Sequence, residues 1–478
     1  MSKLHTRREV LSIAGTGLAG MTVAGTAAAK DRGQATTAPP VGEIQVRRTY
    51  ADKRYAQEPP LRWQRFGGTD GGAIRLNPGQ SFQEVLGFGA SLTEAACYMI
   101  AQLPPAARDQ LLQEFFDASQ MNFSVSRLCI GSSDYATAAY SYDDGDADPE
   151  LRRFSIDHDR ACVLPVLRDS RKVNPDLFLL GSPWSPPGWM KANGSALGGS
   201  MRKRYFASYA QYFVKYLQAF VAEGVRIDAV TTQNEVDTDQ DGRMPACLWG
   251  QEYEIEFIAR HLGPQLAKNG LATKLWILDH NYNLWGRAIC TLDDPGVAKY
   301  VDGVAWHGYV GRPDMMTRVR EAHPAKHAYW TEGGPDYTNA AYLTEWTRWS
   351  ASFTDILRNW ARCIIGWNLA LDEQGRPNIG PFSCGGLVTI NSTTKEVVRS
   401  GMYWALAHYS RAVRRGARRV ASEGQLDGVS HVAFVNPDGT SVAILTNAAA
   451  DRAARLMLAG MSAEVTLPKD SITTMTWR

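Results

Sequence analysis

From residue 86 onward the chain alternates between two hydrophobic periods. Short apolar runs, rich in aliphatic and β-branched residues and closed by turn formers or polar groups, occur at 86–90, 123–130, 177–182, 229–234, 274–278, 303–307, 327–331 and 363–368. Between them lie stretches with apolar residues every three or four positions, clearest over 201–223 and 252–268. Runs this short read as strands buried on both faces, and the longer stretches read as amphipathic helices. Eight strands interleaved with helices predict a (β/α)8 TIM barrel over residues 83–400. The flanks read differently. Residues 42–82 contain short β segments, such as 43–50, broken by Pro59-Pro60 and Gly67-Gly68, and show no helical period. After Thr389 the helical pattern fades apart from 401–410, and the runs 432–435, 441–446, 463–467 and 472–477 read as hairpin strands. Such a tail needs partners for its edges, and the strands of 42–82 are available. The predicted class is therefore α/β, a barrel joined to an all-β sandwich domain built from both chain ends, 42–82 and 401–478.

Composition narrows the reading. A chain of 478 residues exceeds what one barrel uses, consistent with a second domain. A net charge of +2 argues against a dedicated nucleic-acid surface, and no nucleic-acid partner is expected. The basic run from Arg411 to Arg419 reads as a solvated loop between domains. Residues 1–29 have the pattern of a twin-arginine signal peptide: Thr6-Arg7-Arg8-Glu9-Val10-Leu11, a weakly apolar stretch over 11–28, and Ala27-Ala28-Ala29 as a cleavage-like site. Export to the periplasm or beyond is expected. The Gly, Thr and Ala of that stretch make a poor lipid-spanning helix, so no stable membrane insertion is expected. Residues 30–41 read as a linker. Seven cysteines with no C-x-x-C pair predict no zinc site and leave at least one thiol unpaired within the chain.

Two strand ends carry the candidate chemistry. The fourth run stops at Asn234-Glu235 and the seventh at Glu332, followed by Gly333-Gly334-Pro335. In a parallel barrel, strand C-termini open onto one mouth, so the two glutamates face each other across it without cost to the core. Paired carboxylates in that position are the machinery of glycoside hydrolysis: one attacks the anomeric carbon and the other serves as acid and then base. The acid has to hold its proton near neutral pH, and burial beside a second carboxylate is expected to raise the pKa of whichever glutamate serves as acid.

The text around these ends resembles glycoside hydrolase family 30, the family of the acid β-glucosidase (glucosylceramidase) type. The resemblance rests on Gly87-Phe-Gly-Ala-Ser-Leu-Thr-Glu-Ala-Ala96, Ser182-Pro-Trp-Ser-Pro-Pro-Gly-Trp-Met-Lys191, Phe257-Ile-Ala-Arg-His-Leu-Gly-Pro264 and Trp367-Asn-Leu-Ala-Leu371, in that order over almost the whole mature chain. It implies a barrel fused to a β-sandwich, hydrolysis with retention, Glu235 as acid/base and Glu332 as nucleophile. It further implies Asp134 on the hydroxyls at the far side of the sugar, Arg127 near Glu332, Asn234 on the 2-hydroxyl, and Trp184 and Trp367 as walls. His307 and Tyr309 complete the shell, with Tyr309 bonded to the nucleophile. Val236, Gly308 and Gly333-Gly334 depart from the family pattern and are expected to shape the leaving-group side, together with the loop 237–245. The expected substrate is a β-glycoside, foremost a β-glucoside of the glucosylceramide kind. A β-1,6-glucan, a β-xyloside or a β-fucoside remains open, as does a non-catalytic carbohydrate-binding scaffold. No cofactor and no metal are expected; in particular His307 has no second His or Cys at ligand spacing along the chain.

Overall fold

The computed structural model describes residues 40, 42–67 and 73–478, so the signal peptide and most of the linker expected over 1–41 lie outside the described residues. Eight parallel strands close a barrel in chain order: Gly87–Ala90, Val125–Cys129, Phe178–Ser182, Ala229–Thr231, Lys274–Asn281, Val301–His307, His327–Glu332 and Ala361–Gly366. Its interior is filled by Val125, Leu180, Ala229, Trp276, Ala305, Tyr329, Cys363 and Ile365. Two large rings, Trp276 and Tyr329, stack at 3.7 Å, and small residues elsewhere make room for them. Gly89 is the tightest of these positions, because a Cβ there would sit 1.8 Å from the carbonyl oxygen of Val125 on the neighbouring strand.

The helix Phe206–Ala222 buries Tyr209, Tyr212, Phe213, Tyr216, Leu217 and Phe220, a stripe at three- and four-residue spacing that covers the barrel. It starts later than the predicted 201–223, after a 3-10 turn at Lys203–Tyr205. The helix expected over 252–268 is broken into Gln251–Phe257, a π turn Ile258–Leu262, and Gly263–Lys268. Pro264 has no N–H to return to the preceding turn, and Gly263 packs under Tyr300, where a Cβ would approach the ring to 2.3 Å.

Both chain ends enter one ten-stranded sheet in the order Lys53–Arg62, Glu43–Tyr50, Ser471–Trp477, Ser441–Asn447, Val429–Val435, Arg418–Glu423, Ala73–Glu84, Arg452–Leu458, Met461–Leu467, Gln64–Arg65. Residues from both halves of that order, among them Ile44, Val46, Leu456, Leu467 and Met475, share one core, so the sheet folds over itself into the sandwich. The strand Ser441–Asn447 shows the alternation. Ala443 and Leu445 face the sandwich core, while Val442 and Ile444 join the larger core shared with the barrel helices. The run at Arg411–Arg419 is not the solvated loop expected. Arg415 donates to the carbonyls of Leu86, Asp176 and Ser124, and buried Arg419 lies 3.6 Å over the Phe82 ring. Arg415 is thus drawn down onto the barrel by its carbonyls, while Arg419 Nε donates to Gln83 Oε1 at 3.0 Å. All seven cysteines are free thiols. Among the described residues no helix is long and apolar enough to cross a membrane.

Candidate active site

Strand C-termini build the mouth. Arg127 comes from the second strand, Ser182 from the third, and Asn234 and Glu235 follow the fourth; Asp279 and His280 lie on the fifth, His307 ends the sixth and Glu332 the seventh. Left-handed backbone at non-glycine residues bends the chain at three strand ends, those of the fourth, fifth and eighth: Glu235 at φ 52°, Leu278 and Asp279 at 72° and 46°, and Asn368 at 57°. Each such residue costs about 1–3 kcal/mol and persists only where its surroundings fix it. Here Glu235 N–H donates to the Asp279 carbonyl at 3.0 Å, locking the fourth and fifth strand ends together.

Arg127 is fully buried and is the hub. One terminal nitrogen pairs with Glu332 Oε2; the other donates to Asn234 Oδ1 and Asp279 Oδ2, each at 2.7 Å, and to Ser182 Oγ at 3.2 Å. The guanidinium lies 4.6 Å from the Trp184 ring, which in turn stacks on Trp367 at 5.1 Å. Asp279 is the other half of the hub. It accepts from Arg127, from Ser182 Oγ at 2.5 Å, from Thr231 Oγ1 at 2.8 Å, from Thr331 Oγ1 at 2.7 Å and from His307 Nε2 at 3.0 Å. Burial alone would push its carboxyl up; the Arg127 charge and the bonds from His307 and Ser182 hold it far below the usual carboxylate range.

Both glutamates reach His307. Its Nδ1 stands 3.3 Å from Glu235 Oε1 and its Nε2 3.8 Å from Glu332 Oε2, so the ring sits between the two carboxylates. The ring is fully buried, which lowers its pKa, but the Glu332 charge and the bonds to Asp279 and Glu235 push it up to about 9. Glu332 also accepts from Tyr309 Oη at 3.0 Å. Glu235 accepts from Gln240 Nε2 at 2.9 Å. Contrary to the expected rise, its carboxyl sits below the usual range. Burial does push it up, but the His307 bond, the field of His280 and His307, and the Gln240 amide outweigh that. The directions of these two shifts favour the imidazole over the carboxylate as the seat of the pair's proton.

A cavity of about 380 Å³ opens above this cluster, lined by Asp134, Trp184, Asn234, Glu235, Glu332 and Trp367 among others. Asp134 is buried, and desolvation together with the Glu332 and Glu235 charges raises its carboxyl well above the usual range. Tyr309 and Phe382, 47% and 43% exposed, stand on the rim. Seven of the nine predicted residues line this hollow, and the other two, Arg127 and His307, lie buried beneath it in contact with Glu332 and Glu235. The sequence reading singles out none of Asp279, His280 and Phe382, while Gln240 lies in the loop 237–245 expected on the leaving-group side. The fifth run was ended at Leu278, one residue short of Asp279, whereas the strand continues to Asn281. It also found no companion for His307, and the fold supplies one in His280, whose ring centroid is 5.8 Å away. At Gly308 and Gly333 a Cβ would meet the Trp330 ring, at 2.9 and 2.4 Å.

Residues 85–413 match the glycosyl hydrolase family 30 TIM-barrel domain, and residues 416–475 match the glycosyl hydrolase family 30 beta sandwich domain. The chain is 35% identical over 385 residues to the endo-1,6-beta-D-glucanase of Neurospora crassa, covering 76% of this chain and 79% of the relative. It is 31% identical over 396 residues to the lysosomal acid glucosylceramidase of Mus musculus, covering 78% of this chain and 77% of that one. The solved endo-beta1,6-glucanase BT3312 superposes with a TM-score of 0.83 at 29% identity, covering 91% of this chain and 99% of that one. A closed parallel barrel with two glutamates at its mouth, a sandwich drawn from both ends, and these matches over both domains place the chain in glycoside hydrolase family 30 and make it a glycoside hydrolase.

Proposed function

We propose that this hydrolase cleaves β-glucosidic bonds with retention, Glu332 acting as nucleophile and Glu235 as acid and then base. The observation that carries the reading is that both carboxylates contact one imidazole, His307, from the two sides of the mouth. Asp134 and the amide of Asn234, whose Oδ1 is already held by Arg127, receive the sugar hydroxyls. Glu332, kept ionised and oriented by Arg127 and Tyr309, attacks the anomeric carbon. As its C–O bond forms, the bond to the leaving oxygen breaks, and that oxygen takes the proton held by the Glu235–His307 pair. A water then gives its proton to Glu235 and attacks the same carbon, Glu332 leaves as a carboxylate, and the sugar is released in the β configuration. A pair sharing one proton serves as acid without Glu235 itself having a raised pKa.

Similarity to the Neurospora crassa glucanase favours β-1,6-linked glucan as the substrate, and the exposed rings of Tyr309 and Phe382 suit the faces of successive sugars. The mouse relative's name supports a second reading, glucosylceramide. Digestion of β-1,6-glucan and of glucosylceramide decides between them, and NMR of the first-formed sugar reads the stereochemistry. Release of the α anomer would overturn the mechanism. Glu332→Gln should lose about 10³-fold or more in kcat. Glu235→Gln should lose about 10²–10⁴-fold on ordinary glucosides yet little on aryl glucosides whose leaving groups need no proton. We further propose export through the twin-arginine route, supported by Arg7-Arg8; an Arg7→Lys/Arg8→Lys chain should stay in the cytoplasm of a bacterial host.

A further inference from the structure

Two histidines from neighbouring strands aim the same nitrogen at the same carboxylate oxygen. His280 holds Nδ1 3.5 Å from Glu235 Oε1, and His307 holds Nδ1 3.3 Å from it. The three ligand atoms lie within 4.8 Å of one another. A tetrahedral zinc site with bonds of about 2.0–2.2 Å sets its ligand atoms about 3.4 Å apart, so two of the three edges already have the required length.

The far side of each ring is organised in the same way. His307 Nε2 donates to Asp279 Oδ1 at 3.0 Å, and His280 Nε2 donates to Asp237 Oδ1 at 2.5 Å. A carboxylate on the far nitrogen holds a proton there, so that once Nδ1 gives up any proton of its own its lone pair faces the cation; metal-binding histidines are supported by such an outer partner. The proposed reaction uses the His307 imidazole beside Glu235, and the second imidazole is not explained by it. His280 is 5% exposed, and its Nδ1 is buried with no hydrogen-bond partner. An unsatisfied nitrogen at that depth carries a desolvation penalty that a cation between the three groups would relieve. The position left open faces the cavity that Glu235 and His280 line, which is also the route by which an ion enters.

We propose that Glu235, His280 and His307 form a three-ligand site for a zinc-class divalent cation, and that its occupancy arrests hydrolysis. Two imidazoles and one carboxylate select Zn²⁺, Co²⁺ or Cu²⁺ over Ca²⁺ and Mg²⁺. Binding forms two metal–nitrogen bonds and one metal–oxygen bond, and any proton on those atoms passes to solvent. The arrest follows because the carboxylate that exchanges a proton with the leaving oxygen is taken by the ion. That half rests on the role proposed for Glu235; the binding half does not.

The test uses the metal-stripped full chain. Co²⁺ should bind once per chain and give visible d–d absorption that Zn²⁺ bleaches. Zn²⁺ should inhibit glucoside hydrolysis over the same concentration range, with chelator restoring the rate. His280→Gln, checked for native circular dichroism and melting, should weaken Zn²⁺ binding about tenfold or more by calorimetry. No Co²⁺ band at millimolar metal, or unaltered affinity in both His280→Gln and Glu235→Gln, overturns the site. Full turnover at full occupancy overturns the arrest. A chain that binds Co²⁺ in this way but hydrolyses no glucoside upholds the site and overturns the functional reading instead.

Discussion

Arg127 holds together more of the mouth than either glutamate does. It is the cation among Glu332, Asp279 and the Asn234 amide, and it is fully buried. Removing one partner of a buried ion pair leaves the other charge without compensation, so Arg127→Met should destabilise the fold by about 3–5 kcal/mol in denaturant titrations. Arg127→Lys keeps the charge but not the fork that serves three acceptors at once; it should fold and lose most of kcat. A second consequence concerns pH. His307 is raised to about 9, so the Glu235–His307 pair keeps its proton well above the ordinary histidine range. The basic limb of kcat/KM should fall as pH rises through about 9, and in His307→Gln it should move to lower pH. The sign for stability agrees: a raised pKa favours the folded state fully below the unfolded histidine value of about 6.5 and is lost as pH rises through the folded value. Glu235 and Glu332 were legible in the sequence because each ends an apolar run abruptly. Asp279 was not, because a buried aspartate is tolerable only with partners from the second, third, fourth, sixth and seventh strands, and none of them stands near it along the chain.

The helix Gly401–Ser410 joins the barrel to the sandwich through His408. This buried ring bonds Thr474 Oγ1 and Thr49 Oγ1, each at 2.8 Å, so one side chain ties the helix to strands from the two ends of the chain. Burial and the nearby Arg411 charge lower it to about 3. It is therefore neutral in the fold and protonated in the unfolded chain below about pH 6.5, and its contribution is lost as pH falls from about 6.5 towards the folded value. His408→Leu leaves two hydroxyls without that partner and should cost about 1–3 kcal/mol at neutral pH. It should also flatten the decline of stability between neutral and mildly acid pH, measured by denaturant midpoints across that range; an unchanged slope would remove His408 from the account. Strands were legible at this scale because burial on both faces makes continuous apolar runs, as in Ser441–Asn447. The break ahead of Gly263 was legible only in part: Pro264 stands in the sequence, but the Tyr300 ring under which Gly263 packs comes from a different segment.

Polar bonds stitch the two layers from both sides. Arg358, on a barrel helix, donates to the Ser422 and His431 carbonyls of the sandwich, and Trp346 Nε1 donates to the Asp470 carbonyl at 3.0 Å. From the other direction Arg415, just ahead of the first C-terminal sandwich strand, reaches three barrel carbonyls. Phe434, Val442, Ile444 and Ile472 of the sandwich belong to the same apolar cluster as the barrel helices. Each layer thus completes the burial of the other, and separating them would expose apolar faces and unpaired carbonyls together. The first sandwich strand, Glu43–Tyr50, lies between Lys53–Arg62 and the final strand, so the sandwich closes only when both chain ends are present. Calorimetry of the chain should therefore show one cooperative transition with equal calorimetric and van't Hoff enthalpies. Two resolved transitions would mean that the layers fold independently. A chain lacking residues 43–62 leaves the edge of Ser471–Trp477 and the apolar positions under Ile44 and Val46 uncovered. Its single transition should fall in temperature and become irreversible, because an open apolar sheet edge pairs with other chains once it is freed.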